Sequence, residues 1–179
     1  MAQRGSQFRN SAERGEWAEI RFVARAAEQL FRVSKPWGNT APYDLMVERD
    51  GVIYRVQVKS TINRVGPASF ACGMPSGKRR TELLKEVDFV AAYVIPVDIW
   101  YIIPVGAVQK HKGAISLSPW KRDAKYARYL ESWYLLRHWR GSRRPAHALN
   151  PIKRETARKP RQKSSRSCPC GAGALARCL

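Results

Sequence analysis

Apolar residues near the N-terminus recur with a helical period. The spacing predicts an amphipathic helix over residues 13–32, with Ser11 as its N-cap. Its apolar stripe consists of Phe22, Val23, Ala26 and Leu30. Glu19 falls in the middle of this stripe, where a carboxylate is costly unless a cation pairs with it. Two readings stay open: Glu19 serves a functional site, or it lies at the exposed end of the stripe, paired with an arginine.

The next pattern alternates between apolar and polar residues, which is typical of β-strands. Strands are predicted at 43–48 and 52–60, on either side of Asp50-Gly51, a pair that favours a tight hairpin turn. Residues 33–42 contain two prolines, a glycine and an asparagine, and are predicted to form a loop. In the second strand Gln57 and Lys59 face away from the apolar side chains.

Strand patterns return at 68–72, 87–95 and 99–104, the last two joined by a tight turn at 96–98. Residues 73–80, with one proline and three consecutive bases, are predicted to form an exposed loop. A stripe of aromatic and leucine side chains predicts a second long helix over 120–139.

Composition adds a chemical preference to this outline. The chain has 179 residues, 44% of them hydrophobic and six of them Trp, which is enough for a folded core. Lys and Arg number 33 against 14 acids, a net charge of +19 that favours a polyanionic partner such as nucleic acid. No apolar run approaches the roughly 18 residues of a membrane span. The N-terminus also lacks the apolar stretch of a signal peptide. We expect a cytoplasmic protein, intracellular and nucleoid-associated, with no membrane partner.

The charge and the cysteines are concentrated at the C-terminal end. Ten of the Lys and Arg residues, but only one acid, follow residue 140, among several prolines and serines. We therefore expect a flexible N-terminus over 1–12, a folded domain over 13–140 and a disordered basic tail over 141–179. Cys168, Cys170 and Cys178 lie in that tail without a histidine among them, so a structural zinc site is not expected.

Candidate chemistry is concentrated on the predicted hairpin. Asp44 begins the first strand, and Gln57 and Lys59 follow after twelve intervening residues, so the hairpin brings all three close together. A carboxylate and an amide oxygen are ligands for a hard cation such as Mg²⁺, and the carbonyl of Val58 could add another. Lys59 can orient a water molecule and stabilise charge on a phosphate. Glu19 would complete the anionic shell, and Lys59 would offset the cost of burying it.

These residues resemble the PD-(D/E)xK nuclease superfamily. Residues 14–19, with a basic-Gly-x-x-x-Glu pattern, are similar to the opening of archaeal-type Holliday junction resolvases. Segments 43–45, 56–60, 87–89, 100–104 and 129–133 resemble the group I intron-associated homing endonuclease branch. The resemblance covers roughly residues 13–140.

The resemblance implies an α/β fold with a restriction-endonuclease-like αβββαβ core, in which helices flank a mixed central sheet. It also implies a metal-dependent phosphodiesterase using Mg²⁺ or Mn²⁺. The helix acid of the family falls on Glu19, its metal-binding aspartate on Asp44 and its lysine on Lys59. Gln57 stands where the usual pattern has Asp or Glu, a change that the intron-associated branch tolerates. The expected catalytic residues are Glu19, Asp44, Gln57 and Lys59, and the expected metal ligands are Glu19, Asp44, Gln57 and Val58.

The first functional hypothesis is therefore a Mg²⁺-dependent homing-type endonuclease acting on double-stranded DNA. A junction-resolving or repair nuclease, and a DNA-binding protein on a decayed nuclease scaffold, remain alternatives. Because one such site cuts one strand, we expect a homo-oligomer, dimer or tetramer, with Trp133, Tyr134 and Trp139 as candidate contacts. The candidate DNA contacts, which could equally be solvated surface, are Lys78, Arg79, Arg80, Lys121, Arg122 and Lys125.

Overall fold

The computed structural model describes residues 8–38, 40–109 and 113–138. The chain divides into two units, Met1–Ala148 and Leu149–Leu179, and every described residue belongs to the first. The predicted tail over 141–179, its three cysteines, Trp139 and most of the predicted N-terminal segment over 1–12 lie outside the described residues.

Four helices and eight strands make up the described part of the chain. The helices are α1 (Ser11–Glu28), α2 (Gly77–Glu86), α3 (Val105–Val108) and α4 (Leu135–His138). The strands are β1 (Arg32–Ser34), β2 (Leu45–Arg49), β3 (Val52–Thr61), β4 (Arg64–Gly66), β5 (Ser69–Gly73), β6 (Phe89–Val94), β7 (Ile99–Pro104) and β8 (Ala114–Leu117).

The central sheet has five strands in the order β1-β2-β3-β6-β7. Strands β3 and β6 run parallel, whereas the other neighbours are antiparallel. A smaller antiparallel sheet has the order β4-β5-β8. The predicted mixed sheet flanked by helices is therefore confirmed, and β1, β4 and β8 are additions that the sequence pattern did not predict.

Helix α1 begins and ends at different residues than predicted. Asn10, not Ser11, is the N-cap, and its side chain accepts the N–H of Glu13 at 2.9 Å. The helix stops at Glu28 because Leu30 adopts a left-handed backbone with φ of 63°. Leu30 is consequently exposed instead of joining the apolar stripe. The chain then reverses and enters β1 at Arg32, the last residue of the predicted helix, and β1 continues into the segment where a loop was predicted.

The hairpin between β2 and β3 matches its prediction. Asp50 and Gly51 have φ values of 52° and 76°, the two positive values that a type I′ turn requires. The cross-strand pairs run from Arg49 with Val52 to Leu45 with Val56. This register fixes the start of β2 beside the end of β3.

Each face of the central sheet has its own hydrophobic core. Helix α1 packs on one face, where Phe22, Val56, Trp100 and Trp133 are buried together. Helix α2, α3 and the smaller sheet cover the other face. Trp133 lies in the first core, with ring centroids 5.3 Å from Phe22 and 6.1 Å from Trp100, so it is unavailable as the predicted oligomer contact.

The predicted helix over 120–139 is wrong. The segment contains turns, a 3-10 turn at Ala127–Tyr129 and the short α4. Glu131 of this segment forms hydrogen bonds with β7 instead. Its N–H donates to the carbonyl of Trp100 at 2.8 Å, and its carboxylate accepts the Trp100 N–H at 2.6 Å. Tyr101 and Leu130 form a further antiparallel bridge. The aromatic stripe reflects burial against β7, not helical periodicity.

The predicted loop over 73–80 is also partly wrong, because α2 already begins at Gly77. Among the helices of the described ranges, none is long and apolar enough to cross a membrane.

Candidate active site

Asp44 stands immediately before β2, and its carboxylate is held by β3. Its backbone N–H donates to the carbonyl of Val56 at 3.0 Å, which continues the hairpin ladder by one residue. Its Oδ2 accepts the N–H of Val58 at 2.7 Å and a hydrogen bond from Nε2 of Gln57. The hydrogen bonds that hold this carboxylate therefore all come from residues of the hairpin itself.

The environment of Asp44 raises the pKa of its carboxyl group above the ordinary value. Burial is the largest cause, and the negative charge of Glu19 acts in the same direction. The N–H of Val58 and the positive charges of Lys59 and Lys35 partly oppose the increase. The carboxylate of Asp44 therefore interacts electrostatically with Glu19, Lys35 and Lys59. Of these three neighbours, Lys35 was not among the predicted site residues.

Gln57 and Lys59 open into a cavity of about 610 Å³. Alternation along β3 buries Val56 and Val58 beneath α1 and turns Gln57 and Lys59 toward the opposite face. The rest of the wall comes from the loop before β2, the end of β5 and the first turns of α2. These wall residues are Thr40, Ala41, Pro42, Gly73, Met74, Pro75, Ser76, Arg79, Glu82 and Leu83.

Glu19 reaches this group from α1, and its side chain is 20% exposed. Its Oε2 accepts a hydrogen bond from Nζ of Lys35 at 2.7 Å, and that bond raises the pKa of Lys35. The partner is thus neither the arginine nor Lys59, the two cations that the sequence suggested. Sequence reasoning missed Lys35 because its position depends on the reversal of the chain at Leu30, for which no local signal was recognised.

The donor atoms of this group fit a hard divalent cation. Asp44 and Glu19 supply two carboxylates close enough for the charge of one to raise the pKa of the other. Mg²⁺ commonly takes one or two protein carboxylates and completes its shell with water and substrate phosphate. Gln57 presents its amide nitrogen to Asp44, so only its amide oxygen is available as a further donor. Within the described ranges there is no group of three or more His, Cys, Asp or Glu residues that could hold a metal.

The first set of candidate DNA contacts lies at the start of α2, not in a loop. Arg79 lines the cavity that contains Lys59, whereas Lys78 projects into solvent. Arg80 has a structural contact instead, because its guanidinium donates to the carbonyl of Gln109 at 2.6 Å and to that of Val108 at 3.3 Å. The structure therefore brings Arg79 to the candidate site and directs Arg80 toward α3. Glu82, which also lines the cavity, was not identified from the sequence.

The second set of candidate contacts lies in turns after β8, not on a helix. Lys121 and Arg122 line a separate cavity of about 440 Å³. Lys121 is also 3.7 Å from the carboxylate of Asp123, and Nζ of Lys125 lies over the ring of Tyr126 at 5.6 Å from its centroid. These cations are exposed, and none of them lines the cavity of Gln57 and Lys59.

Cys72 is the remaining reactive side chain near the group. It is fully buried in the second core, and burial raises the pKa of its thiol to about 12. The thiol is therefore protonated at neutral pH and unsuited to nucleophilic chemistry.

Three comparisons with known proteins bear on this arrangement. The model of the family described as PD-(D/E)XK endonuclease matches residues 9–136. No curated protein sequence matches the chain. Among solved structures, the chain is similar to the bacterial homing endonuclease I-Ssp6803I, with a TM-score of 0.62 and 26% identity over 71% of this chain and 91% of that one.

A second solved structure is Hjc, a Holliday junction resolvase from the archaeal hyperthermophile Archaeoglobus fulgidus. Its TM-score is 0.46 and its identity 14%, over 63% of this chain and 87% of that one. The likeness to I-Ssp6803I confirms the predicted restriction-endonuclease-like fold. The family match extends over most of the chain, from before α1 into α4, and includes the Asp44 hairpin. The chain therefore belongs to the PD-(D/E)XK endonuclease family and is a nuclease.

Proposed function

We propose that this nuclease is a Mg²⁺-dependent endonuclease that hydrolyses phosphodiester bonds of double-stranded DNA, with a homing-type, site-specific role. One observation carries the proposal: Asp44 is fixed by Gln57 and Val58 where Lys59 enters a cavity of about 610 Å³. That arrangement combines an acid, an amide and a lysine on one hairpin. The net charge of +19 supports a polyanionic substrate.

Asp44 and Glu19 would hold the cation, with the oxygen atoms of Gln57 and Val58 as further donors. When bound, Mg²⁺ or Mn²⁺ supplies Lewis acidity that neutralises phosphate charge and lowers the pKa of a water molecule. Gln57 keeps Asp44 in place through its amide nitrogen. Glutamine is neutral where the usual residue is an acid, so the negative charge of the site comes from Asp44 and Glu19.

Lys59 stabilises the negative charge that grows on the phosphate as the bond to the leaving oxygen breaks. Its position on β3, opposite the buried Val58, directs its ammonium group into the cavity and away from the core. Arg79 lines the same cavity and gives a second cation for the DNA backbone. Neither residue reads base identity, so sequence preference would come from surfaces around the cavity.

The homing-type role is supported by the similarity to I-Ssp6803I, which extends over 91% of that homing endonuclease. A double-strand break needs two sites that face opposite strands, so we expect a symmetric dimer or tetramer. Tyr134, 60% exposed, is the aromatic residue of the predicted contact that remains accessible in the described range.

The test is cleavage by the full-length protein of a plasmid library with random inserts, followed by sequencing of the ends. A parallel reaction uses a four-way junction of the same total length. Each substrate is incubated with Mg²⁺ or with EDTA, and the Asp44→Ala variant serves as the inactive control. Mg²⁺-dependent breaks at a defined duplex sequence would support the proposal. Cleavage of the four-way junction alone would instead identify the protein as a junction-resolving nuclease. Cleavage in EDTA would refute the metal requirement.

A further inference from the structure

Trp37 is the most exposed large apolar side chain of the described residues, with a relative accessibility of 101%. Trp100 and Trp133 are buried in the core, and Trp17 is partly buried against it. Within the described ranges, Trp37 has no ring contact and no hydrogen bond. Removing the apolar surface of an indole from water is favourable, so a ligand that covers this ring binds more tightly as a result.

Along the chain, Trp37 lies between two residues that belong to the candidate active site. Two residues earlier, Lys35 is anchored to Glu19 by the 2.7 Å ion pair. Three residues later, Thr40 begins the stretch that lines the cavity of Gln57 and Lys59. Because successive Cα atoms are about 3.8 Å apart, the Cα of Trp37 lies within about 8 Å of that of Lys35 and about 11 Å of that of Thr40. Trp37 therefore belongs to the short segment that links Lys35 to the cavity wall at Thr40.

The surroundings of Trp37 favour a nucleobase over a protein partner. A protein contact usually places a buried aromatic anchor inside a ring of other apolar groups. Trp37 instead lies between Pro36 and Gly38, two residues after Lys35 and three before the wall of the cavity that Lys59 and Arg79 line together with Glu82. A cationic track with a free aromatic face is the combination that binds a nucleic-acid backbone and stacks on its bases.

We propose that Trp37 stacks on a base of the bound DNA next to the scissile phosphate and holds that base step open. An aromatic or apolar side chain that enters a base step unstacks it and bends the duplex. Such a contact would move one backbone phosphate toward Lys59. The inference rests on the proposed DNA substrate, but it assigns to Trp37 a contact that the catalytic residues do not supply.

The first experiment measures binding of the full-length protein in EDTA, so that no cleavage is required. The probes are a short duplex and the same duplex with a one-base gap. Tryptophan emission is recorded for the wild type, Trp37→Phe and Trp37→Ala, and Leu30→Ala is the control for loss of another exposed apolar side chain. The difference between the wild type and Trp37→Phe isolates the emission of Trp37 among the six tryptophans.

We expect DNA to quench a component of emission that Trp37→Phe lacks, while that variant binds within about threefold of the wild type because a ring is retained. Trp37→Ala should bind about tenfold more weakly, with a smaller deficit on the gapped duplex, where a base step is already open. Leu30→Ala should behave as the wild type does. Equal quenching in the wild type and Trp37→Phe, or unchanged binding by Trp37→Ala, would overturn the proposal.

Cleavage with Mg²⁺ separates this inference from the proposed function. A wild type that binds with Trp37 quenching but never cuts DNA would refute the endonuclease and leave the stacking contact standing. A wild type that cuts DNA at a rate matched by Trp37→Ala would refute the stacking contact alone. A wild type that binds neither probe would refute both.

Discussion

Lys35, the residue after β1, and Glu19 of α1 form a 2.7 Å ion pair beside the carboxylate of Asp44. The residue that neutralises the helix acid therefore comes from outside the hairpin that carries Lys59. This division leaves Lys59 free to face the cavity, while Lys35 limits the repulsion between Glu19 and Asp44.

Asp44→Asn should abolish cleavage and yet stabilise the fold. The raised pKa of Asp44 means that its charged form is less favourable in the folded protein than in the unfolded chain, so its charge costs stability above that pKa. Removing the charge should raise the melting temperature by about 2 °C or more at neutral pH while cleavage falls at least ~100-fold. Asp50→Asn, at the exposed hairpin turn, is the control. Cleavage at the native rate by Asp44→Asn would remove the basis of the site assignment.

Lys59→Ala should lower the rate of cleavage about 100-fold or more while DNA binding stays within a few fold. Lys59 acts on one phosphate, and most of the affinity comes from the many other cations. The measurements are single-turnover cleavage and a binding titration in EDTA, with Lys85→Ala on the exposed side of α2 as control. A parallel loss of binding and cleavage would instead identify Lys59 as a general backbone contact.

Glu19→Gln should reduce cleavage at least about tenfold, whereas Glu16→Gln, on the exposed side of α1, should have little effect. The residual activity should also extend to lower pH. The charge of Glu19 raises the pKa of Asp44, so its removal lowers that pKa and keeps Asp44 ionised in more acidic solution. A pH profile of the cleavage rate tests this. An acidic limb displaced to higher pH in Glu19→Gln would contradict the coupling.

The hairpin and its residues were predictable because the determining signals are local. Asp50-Gly51 fixes the turn, and a period of two then places Asp44, Gln57 and Lys59 without reference to the rest of the chain. The exposed reverse turn at Leu30 and the edge strand β1 were not predictable in this way. The left-handed backbone of Leu30 and the exposure of its side chain cost free energy, and the pairing of β1 with β2 offsets that cost. This pairing exists only in the folded sheet, so no local sequence signal reports it.

The segment after Ser118 was misread for a related reason. Tyr126, Trp133 and Leu136 are spaced as a helix would space them, but Tyr126 is buried in the second core and the other two in the first. Glu131 holds this segment against the outer strand β7 in a non-helical conformation, because its backbone and its carboxylate both form hydrogen bonds with Trp100. A local pattern cannot reveal a partner more than thirty residues away.

Asp98→Asn should destabilise the fold by about 1 kcal/mol at neutral pH. Asp98 accepts hydrogen bonds from the hydroxyl of Tyr93 and from Arg21 at 3.1 Å. Partial burial raises the pKa of Asp98, but these two bonds outweigh it, and the net pKa lies below the ordinary value. Asparagine tolerates the left-handed backbone at this position, where φ is 52°, so the variant isolates the charge.

Because the pKa of Asp98 is lowered in the folded protein, the stability difference between the wild type and Asp98→Asn should decrease as the pH falls. Stability from ionised Asp98 is fully present above its unfolded pKa and is lost as the pH falls through the lower folded pKa. Urea denaturation at pH 7 and at about pH 3 should therefore show the wild type and Asp98→Asn converging in acid. Asp123→Asn, which removes an exposed charge, is the control. A difference that grows in acid would exclude this assignment.

Removal of residues 143–179 should weaken non-specific DNA binding and flatten its dependence on salt. These residues carry ten Lys and Arg side chains and one acid, and each phosphate contact they make contributes to the salt slope. Cleavage at low salt should persist, because the described site lies entirely within residues 8–138. Binding titrations over a series of salt concentrations measure the slope. A slope equal to that of the full chain would show that the C-terminal charge does not contact DNA.

The contact between Glu131 and Trp100 has a consequence for aggregation. Strand β7 is an outer strand of the central sheet, and unpaired backbone groups on such a strand invite pairing with another molecule. Glu131 occupies both the N–H and the carbonyl of Trp100, and Leu130 bridges Tyr101. At the opposite margin, β1 is only three residues long and begins with a charged arginine. Both margins therefore disfavour intermolecular strand addition, and copies of this protein are expected to associate through side chains, not by extending one continuous sheet.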